Sequence, residues 1–184
     1  RRQRQRCIRD RDSEVRGLVI RHFDGNGITV ATGADRVRIA GNHIGALDPD
    51  GGGPAPLALG NYGRGLVIHG AQALIGGPAS EDRNVIAGNG LDQILIAAEG
   101  DGAVIIGNFV GTDASGTIDV NGDGPALFEH SGIVVSGANG VVIGGLAAGE
   151  GNLISGNDYH GIEVGPGSSQ VLIQGNVIGT DLSG

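Results

Sequence analysis

The sequence contains no lysine, methionine or tryptophan, a single cysteine and only 3% aromatic residues. So few large side chains argue against a globule built around one aromatic-rich core. Because Cys7 is alone, an internal disulfide is excluded. No apolar run approaches the roughly 18 residues that a membrane-spanning helix needs, so we expect no membrane span.

Positive charge is scarce and lies mainly at one end of the chain. Eight of the twelve arginines fall in Arg1–Arg21 beside three acidic residues, whereas the remainder carries four arginines and seventeen acidic residues, a net charge of −13. This acidic body would repel a polyanion, so we expect no nucleic-acid partner. The Arg-rich residues 1–14 are expected to form either a disordered end or part of a preceding coil.

Glycine, in contrast, is abundant at 38 of 184 residues, and a block of sequence is repeated. Gly65–Gly116 and Gly132–Gly184 align at an offset of roughly 68 residues, and a weaker copy covers Gly17–Leu47. Self-similarity at a fixed period is typical of stacked repeat architectures. Since the last copy stops inside a repeat, we expect the chain to be a piece of a longer array.

Each copy divides into three short β-branched runs bounded by Gly, Asn, Asp or Ser, which is a strand pattern. Three strands per turn, repeated about five times, predict an all-β fold: a parallel β-helix forming a single domain over residues 15–184. The alternation of side chains along each strand predicts four aliphatic interior columns. They are Ile28, Leu66, Ile94, Ile133 and Ile162; Val30, Ile68, Ile96, Val135 and Val164; Ile39, Ile75, Ile105, Ile143 and Ile173; and Ile44, Ile86, Val110, Ile154 and Ile178.

An asparagine opens the third run of every predicted coil. Asparagine tolerates the left-handed backbone of a tight bend, and stacked amides can hydrogen-bond along the stack. We therefore predict a structural Asn ladder, whose alternating spacing of about 24 and about 43 residues places extra chain in Asp48–Arg64 and Asp113–Ser131. The ladder comprises Asn42, Asn84, Asn108, Asn152 and Asn176.

Three recurring motifs connect the chain with a known family. They are IGG at Ile75–Gly77 and Ile143–Gly145, N-[VL]-I-x-G-N at Asn84–Asn89 and Asn152–Asn157, and GN-x-[VI]-GTD-x-SG at Gly107–Gly116 and Gly175–Gly184. In these motifs the chain resembles the right-handed parallel β-helix repeat proteins of the pectate-lyase-like superfamily. The resemblance implies a secreted or surface-attached bacterial protein. Some relatives with this fold are uronan lyases, glycoside hydrolases or epimerases.

In polysaccharide-cleaving relatives the site lies on the outward face of the first sheet, and the resemblance therefore places any catalytic groups of this chain on the same face. His69 and Glu163 are the titratable residues of this face, but they lie three coils apart, roughly 14 Å at the usual strand spacing. Paired glycosidase carboxylates lie about 5–10 Å apart. His69 and Glu163, with the neighbouring pair Tyr159 and His160, are retained as a candidate ligand surface.

A candidate metal site lies in the second insertion. Asp119-x-Asn121-x-Asp123-Gly matches the opening of a calcium loop, in which alternating oxygens wrap a hard cation. The twelfth position of the loop is His130 where a bidentate Glu is expected, so half of the motif is present. Short Asx- and Gly-rich stretches also form plain turns. The sequence therefore predicts either no cofactor or Ca²⁺ at Asp119, Asn121 and Asp123.

Two functions follow from these patterns. The first is a non-catalytic β-helix scaffold or binding segment of an extracellular or cell-surface protein, whose partner is a polysaccharide or another surface protein. The alternative is a carbohydrate-active enzyme (a polysaccharide lyase, hydrolase or epimerase) whose site lies in the long loops or outside this piece. Neither end of the sequence shows a capping element, so end-to-end or lateral self-association is also expected.

Overall fold

The computed structural model describes residues 6–46, 60–120 and 130–182. In these three ranges the regular structure consists of short β-strands and one turn of 3-10 helix at Ser80–Asp82, without an α-helix. Nothing helical in this part of the chain has the length and apolar character needed to span a membrane.

The strands form three parallel sheets of six strands each, and successive strands of the chain pass from sheet to sheet in turn. Sheet 1 contains β1 (Arg6–Ile8), β4 (Ile28–Val30), β7 (Leu66–Ile68), β10 (Ile94–Ile96), β13 (Ile133–Val135) and β16 (Ile162–Val164). Sheet 2 contains β2 (Glu14–Arg16), β5 (Arg38–Ala40), β8 (Leu74–Gly76), β11 (Val104–Ile106), β14 (Val142–Ile143) and β17 (Leu172–Ile173). Sheet 3 contains β3 (Val19–Ile20), β6 (His43–Gly45), β9 (Val85–Ala87), β12 (Phe109–Val110), β15 (Leu153–Ile154) and β18 (Val177–Ile178).

Neighbouring strands pair in the register that the aliphatic columns predict. In sheet 1 the column runs from Ile28 through Leu66, Ile94 and Ile133 to Ile162. The predicted columns of sheets 2 and 3 are paired in the same way. In the middle coils these side chains are fully buried in one core cluster. The parallel β-helix predicted from the sequence is therefore confirmed.

The described chain has six coils, one more than the five read from the repeats. The additional coil is the first, formed by β1, β2 and β3, and it pairs with the second coil in all three sheets. Its strands include Arg6–Ile8 and Glu14–Arg16, which the sequence analysis placed before or at the start of the β-helix domain. Arg6 occupies the register position of Ile28, so an aliphatic pattern could not reveal this strand.

The five predicted asparagines form a continuous hydrogen-bonded ladder at the corner between sheets 2 and 3. Each Nδ2 from Asn42 to Asn152 donates to Oδ1 of the asparagine in the next coil, at 2.8–3.0 Å. The backbone N–H groups of the same donors reach the same oxygens at 3.0–3.2 Å. In the first coil Leu18 takes this position, and its N–H donates to Asn42 Oδ1 at 3.1 Å. The ladder thus couples every coil to the next.

The first glycine of the IGG motif is required by this ladder. Gly76 and Gly144 have φ values of +88° and +82°, a region in which side chains are disfavoured. A Cβ on Gly76 would overlap the carbonyl oxygen of Ile106 and lie 2.6 Å from Asn108 Oδ1. The motif therefore leaves open the space in which the next coil places its carbonyl and its ladder amide.

The segment that follows β12 covers part of the outward face of sheet 3, and we call residues 111–120 the strap. Thr112 and Asp119 form an antiparallel bridge within it. Val120, at its end, packs with Phe109 and Leu153 in a second buried apolar cluster outside the central core. The strap therefore gives the middle of sheet 3 a covering layer and carries the first residue of the predicted calcium motif.

Candidate functional site

The calcium motif begins at the end of the strap. Asp119 is exposed, and its carboxylate packs against Gly156 in the next coil, where a Cβ would lie 2.5 Å from Oδ1. Asn121 and Asp123 lie outside the described residues. Within the part of the chain that the structure describes, no three His, Cys, Asp or Glu side chains are grouped to hold a metal. Calcium binding at this motif stays a prediction.

Asp113, at the start of the strap, accepts hydrogen bonds from other residues of the strap. Its Oδ1 accepts hydrogen bonds from Ser115 Oγ at 2.7 Å and from the N–H groups of Ile118 and Thr117 at 3.2 and 3.4 Å. Burial acts to raise the pKa of Asp113, but the bonds from Ser115 and the backbone outweigh burial, so the pKa lies below its usual value. This carboxylate orders the turn of the strap.

His69 and Glu163 are not brought together, as their separation by three coils predicts. His69 follows β7 in the third coil, whereas Glu163 lies in β16 of the sixth. His69 Nδ1 instead lies 3.3 Å from Glu99 Oε2, and this hydrogen bond from His69 lowers the pKa of Glu99. The pair is solvent-exposed, so it forms a small polar dyad at the edge of sheet 1.

The other predicted ligand residues form a separate group on the last coil. The rings of Tyr159 and His160 have centroids 3.8 Å apart and are tilted by 54°. His160 Nδ1 lies 3.6 Å from Glu163 Oε2. The predicted ligand residues therefore form two separate clusters. His69 and Glu99 lie in the middle of the stack, whereas Tyr159, His160 and Glu163 lie at the last coil.

A cavity of about 650 Å³ lies at the corner where the chain passes from sheet 3 to sheet 1. The turns that follow sheet 3 in the first four coils each contribute residues to it, and these turns lie next to one another along the stack. We call it the corner cavity. Its lining comprises His22, Phe23, Asp24, Gly60, Asn61, Tyr62, Gly63, Asn89, Gly90, Leu91 and His130.

Backbone hydrogen bonds join these turns to one another. The N–H of Tyr62 donates to the carbonyl of Phe23 at 2.8 Å, and the N–H of Gly90 donates to the carbonyl of Asn61 at 2.8 Å. The N–H of Leu91 donates to the carbonyl of Gly63 at 3.2 Å. The walls of the corner cavity are thus built from paired backbone.

The floor of the cavity contains a second, shorter amide network. Asn61 Nδ2 donates to Asn89 Oδ1 at 2.8 Å, and Asn89 Nδ2 donates to Gln93 Oε1 at 2.7 Å. Asn61 and Asn89 are almost fully buried, and each also donates to a backbone carbonyl. This network was not predicted, although the Asn that ends the N-[VL]-I-x-G-N motif is one of its members.

An ion pair borders the cavity on the sheet 1 side. Arg64 Nε lies 2.8 Å from Asp92 Oδ2, and the other oxygen of Asp92 accepts the N–H of Ser131 at 3.2 Å. The N–H of Arg64 donates to Asn26 Oδ1 at 3.0 Å. These bonds fix all four turns relative to one another and commit the guanidinium of Arg64 to a neighbouring carboxylate.

A further charged cluster lies on the outward face of sheet 2, away from the cavity. Asp82 Oδ1 accepts Arg16 Nη1 at 2.6 Å and lies 2.9 Å from Arg38 Nη2, while Glu14 lies 3.3 Å from Arg38. The hydrogen bond to Asp82 raises the pKa of Arg16. Since Asp82 belongs to the third coil, these pairs tie the first three coils together and indicate a structural role.

Sequence reasoning missed the corner cavity because its residues follow no periodic pattern. One hint is the scarcity of aromatic residues. The chain has three Phe and two Tyr, and Phe23 and Tyr62 both line the cavity.

The fold places the chain in the class of parallel β-helix proteins. Comparisons with protein-family models, curated proteins and solved structures found no match.

Proposed function

We propose that this chain is a non-catalytic β-helix segment of an extracellular or cell-surface bacterial protein, in which it serves as a rigid scaffold. The observation that carries the proposal is the uninterrupted ladder, in which each asparagine is hydrogen-bonded to the next by both its amide and its backbone N–H. Stacked parallel coils gain stiffness because each coil is held along its whole length by its neighbours.

The outward face of sheet 1 is consistent with this function. Its central column consists of Val67, Leu95 and Val134, of which Val67 is buried and the other two are half-buried. Apolar side chains at these positions are suited to packing against another surface, and they supply no acid, base or nucleophile for catalysis. The bacterial surface location rests on the resemblance of the IGG and GTD motifs to the pectate-lyase-like repeat proteins.

Incubation with acidic and neutral polysaccharides, with and without calcium, tests the proposal. We expect neither unsaturated ends, measured by ultraviolet absorbance, nor new reducing ends. Release of either product by the purified chain would contradict a non-catalytic role.

A carbohydrate-active enzyme is the second candidate, and the dyad of His69 and Glu99 is the observation that favours it. A carboxylate bonded to one nitrogen of an imidazole can orient the ring and stabilise its protonated form, which is a common arrangement for a general base. If the polysaccharide assay detects cleavage, His69→Gln and Glu99→Gln must each reduce the rate for this dyad to be responsible. His160→Gln, which alters the separate histidine of the last coil, is the matched control.

A further inference from the structure

The corner cavity is a preformed concave site. Its walls are four adjacent turns whose N–H and C=O groups are paired between coils, including the bonds from Tyr62 to Phe23 and from Leu91 to Gly63. A ligand therefore would not have to order these turns on binding, which lowers the entropic cost of association. The volume of about 650 Å³ lies within the range typical of small-molecule sites.

Apolar and aromatic side chains are concentrated in this cavity. Phe23 is half-buried and packs against the central core, so the position of its ring is held by the fold. Tyr62 is 79% exposed, which leaves its ring available to a ligand. Leu91 adds an aliphatic surface on the turn that follows that of Tyr62 along the corner. In a chain with 3% aromatics, this is an unusual concentration of flat apolar surface.

The polar groups of the site divide into two kinds. On the floor, the side-chain amide of Asn61 donates to Asn89, and that of Asn89 donates to Gln93. Both amides also donate to backbone carbonyls, so they are occupied by the fold. At the rim lie the hydroxyl of Tyr62 and the imidazole of His22, both on exposed residues. The cavity thus combines an apolar wall with hydrogen-bonding groups at its mouth.

Charge selects against an anionic ligand. The chain has a formal net charge of −8, and the guanidinium of Arg64 beside the cavity is already held by Asp92 at 2.8 Å. Asp24 adds a carboxylate to the lining. Among the described residues that line the cavity there is no arginine, so a phosphate or uronate would meet the carboxylate of Asp24 and would be repelled by the surrounding field.

From these observations we propose that the corner cavity binds a neutral saccharide unit, with one face of the sugar ring against Tyr62 and its hydroxyl groups at the rim. A sugar ring presents both C–H faces and hydroxyls, so it matches an apolar wall beside hydrogen-bonding groups. The cavity is distinct from the candidate ligand surface of Tyr159, His160 and Glu163. The proposal goes beyond the scaffold function, which does not depend on it.

The tyrosine content of the chain allows a direct measurement. With no tryptophan and two tyrosines, the Tyr159→Phe variant reports the fluorescence of Tyr62 alone. We expect at least one of cellohexaose, xylohexaose and maltohexaose to change this emission saturably, with a dissociation constant of about 1 mM. Hexagalacturonate is expected to leave it unchanged. Absence of saturation by all three neutral probes, or binding of hexagalacturonate alone, would overturn the proposal.

Calorimetric titration of variants then locates the site. Tyr62→Ala should weaken binding of the neutral probe by about tenfold or more, because the stacking ring is removed, and Tyr62→Phe should retain most of the affinity. The matched control is Leu146→Ala, at a side chain that is 81% exposed and does not line the cavity, and it is expected to bind as the unaltered chain does. An unchanged thermal midpoint in Tyr62→Ala, expected for a residue that is 79% exposed, separates loss of binding from loss of folding. Undiminished binding by Tyr62→Ala, or loss of binding in Leu146→Ala, would contradict the assignment.

Discussion

His43 occupies an outward position of sheet 3 that the other coils fill with apolar side chains. Its Nδ1 is buried and has no hydrogen-bond partner among the described residues. Burial lowers the pKa of His43 because the charged imidazolium would be poorly solvated. The equivalent residues of the other coils are Val19, Val85, Phe109, Leu153 and Val177.

This lowered pKa makes stability depend on pH. The unfolded chain binds a proton on His43 near the ordinary value of 6.5, at a higher pH than the folded chain does, so stability is lost as pH falls through that value. We expect His43→Val to flatten the decline in stability between about pH 7 and pH 5, measured as urea midpoints. His160→Val, at an exposed histidine, is the control. An unchanged pH dependence in His43→Val would contradict this account.

At the level of the element, the ladder is the interaction that joins one coil to the next. Asn84 and Asn108 are adjacent members, linked by a side-chain hydrogen bond of 2.9 Å and by a backbone bond to the same oxygen. Replacing either one leaves buried polar groups of the other without partners, which is costly. Their contributions to stability should therefore be interdependent.

A double-mutant cycle measures this interdependence. We expect Asn84→Ala and Asn108→Ala each to destabilise the chain, and their combined effect to differ from the sum by about 1 kcal/mol or more. The pair Asn84→Ala and Asn176→Ala serves as the control, since these residues are separated by two other ladder members and should be additive within about 0.5 kcal/mol. Additivity of the adjacent pair in urea unfolding would show that the ladder does not couple the coils.

The regular elements were predictable because each coil repeats the same physical requirement. A slip of one residue would turn the columns of Ile28 and Ile39 outward, so the aliphatic pattern determines the register of the sheets. For the first coil the sequence left two alternatives open, a disordered end or a preceding coil, because Leu18 replaces the ladder asparagine and Arg6 stands in an aliphatic column. Its assignment depends on pairing with the second coil, which local sequence does not encode.

The candidate sites were far less predictable than the strands. Phe23 and Tyr62 lie in turns of different coils, and their proximity follows from stacking rather than from any spacing along the chain. The same holds for His69 and Glu99, which lie 30 residues apart in sequence. Turn residues do not follow the repeating pattern of the strands. Their contacts can therefore be identified only from the stacked structure.

At the scale of the whole molecule, the two ends of the stack differ in character. The sixth coil exposes five aliphatic side chains by 41–48%: Val164, Leu172, Ile173, Val177 and Ile178. Among the described residues, the strands of the first and sixth coils each pair on one side alone, and such open backbone edges are ready sites for pairing with another chain. The first coil carries Arg9 and Arg21, whereas the last carries Glu163 and Asp181, so their charges favour head-to-tail contact.

We therefore expect this 184-residue chain to self-associate reversibly, as measured by sedimentation over a range of concentrations. Ile178→Lys places a charge on the exposed face of the last coil and should shift the equilibrium at least about tenfold toward monomer. Leu146→Lys alters a side chain that is 81% exposed away from this face, and it should associate as the unaltered chain does. Equal association of the two variants would argue against contact through the sixth coil.

The central claim is that six coils form one rigid stack, and Cys7 allows a direct test of it. Cys7 and Glu163 share the outward column of sheet 1, joined in register through Thr29, Val67, Leu95 and Val134. Since Cys7 is the only cysteine, Glu163→Cys creates a single pair for spin labels. Five strand spacings place the two backbone positions about 24 Å apart. Pulsed electron paramagnetic resonance should give one narrow distance distribution near this value, allowing for the label linkers. A broad distribution, or a mean distance beyond about 40 Å, would contradict the six-coil stack.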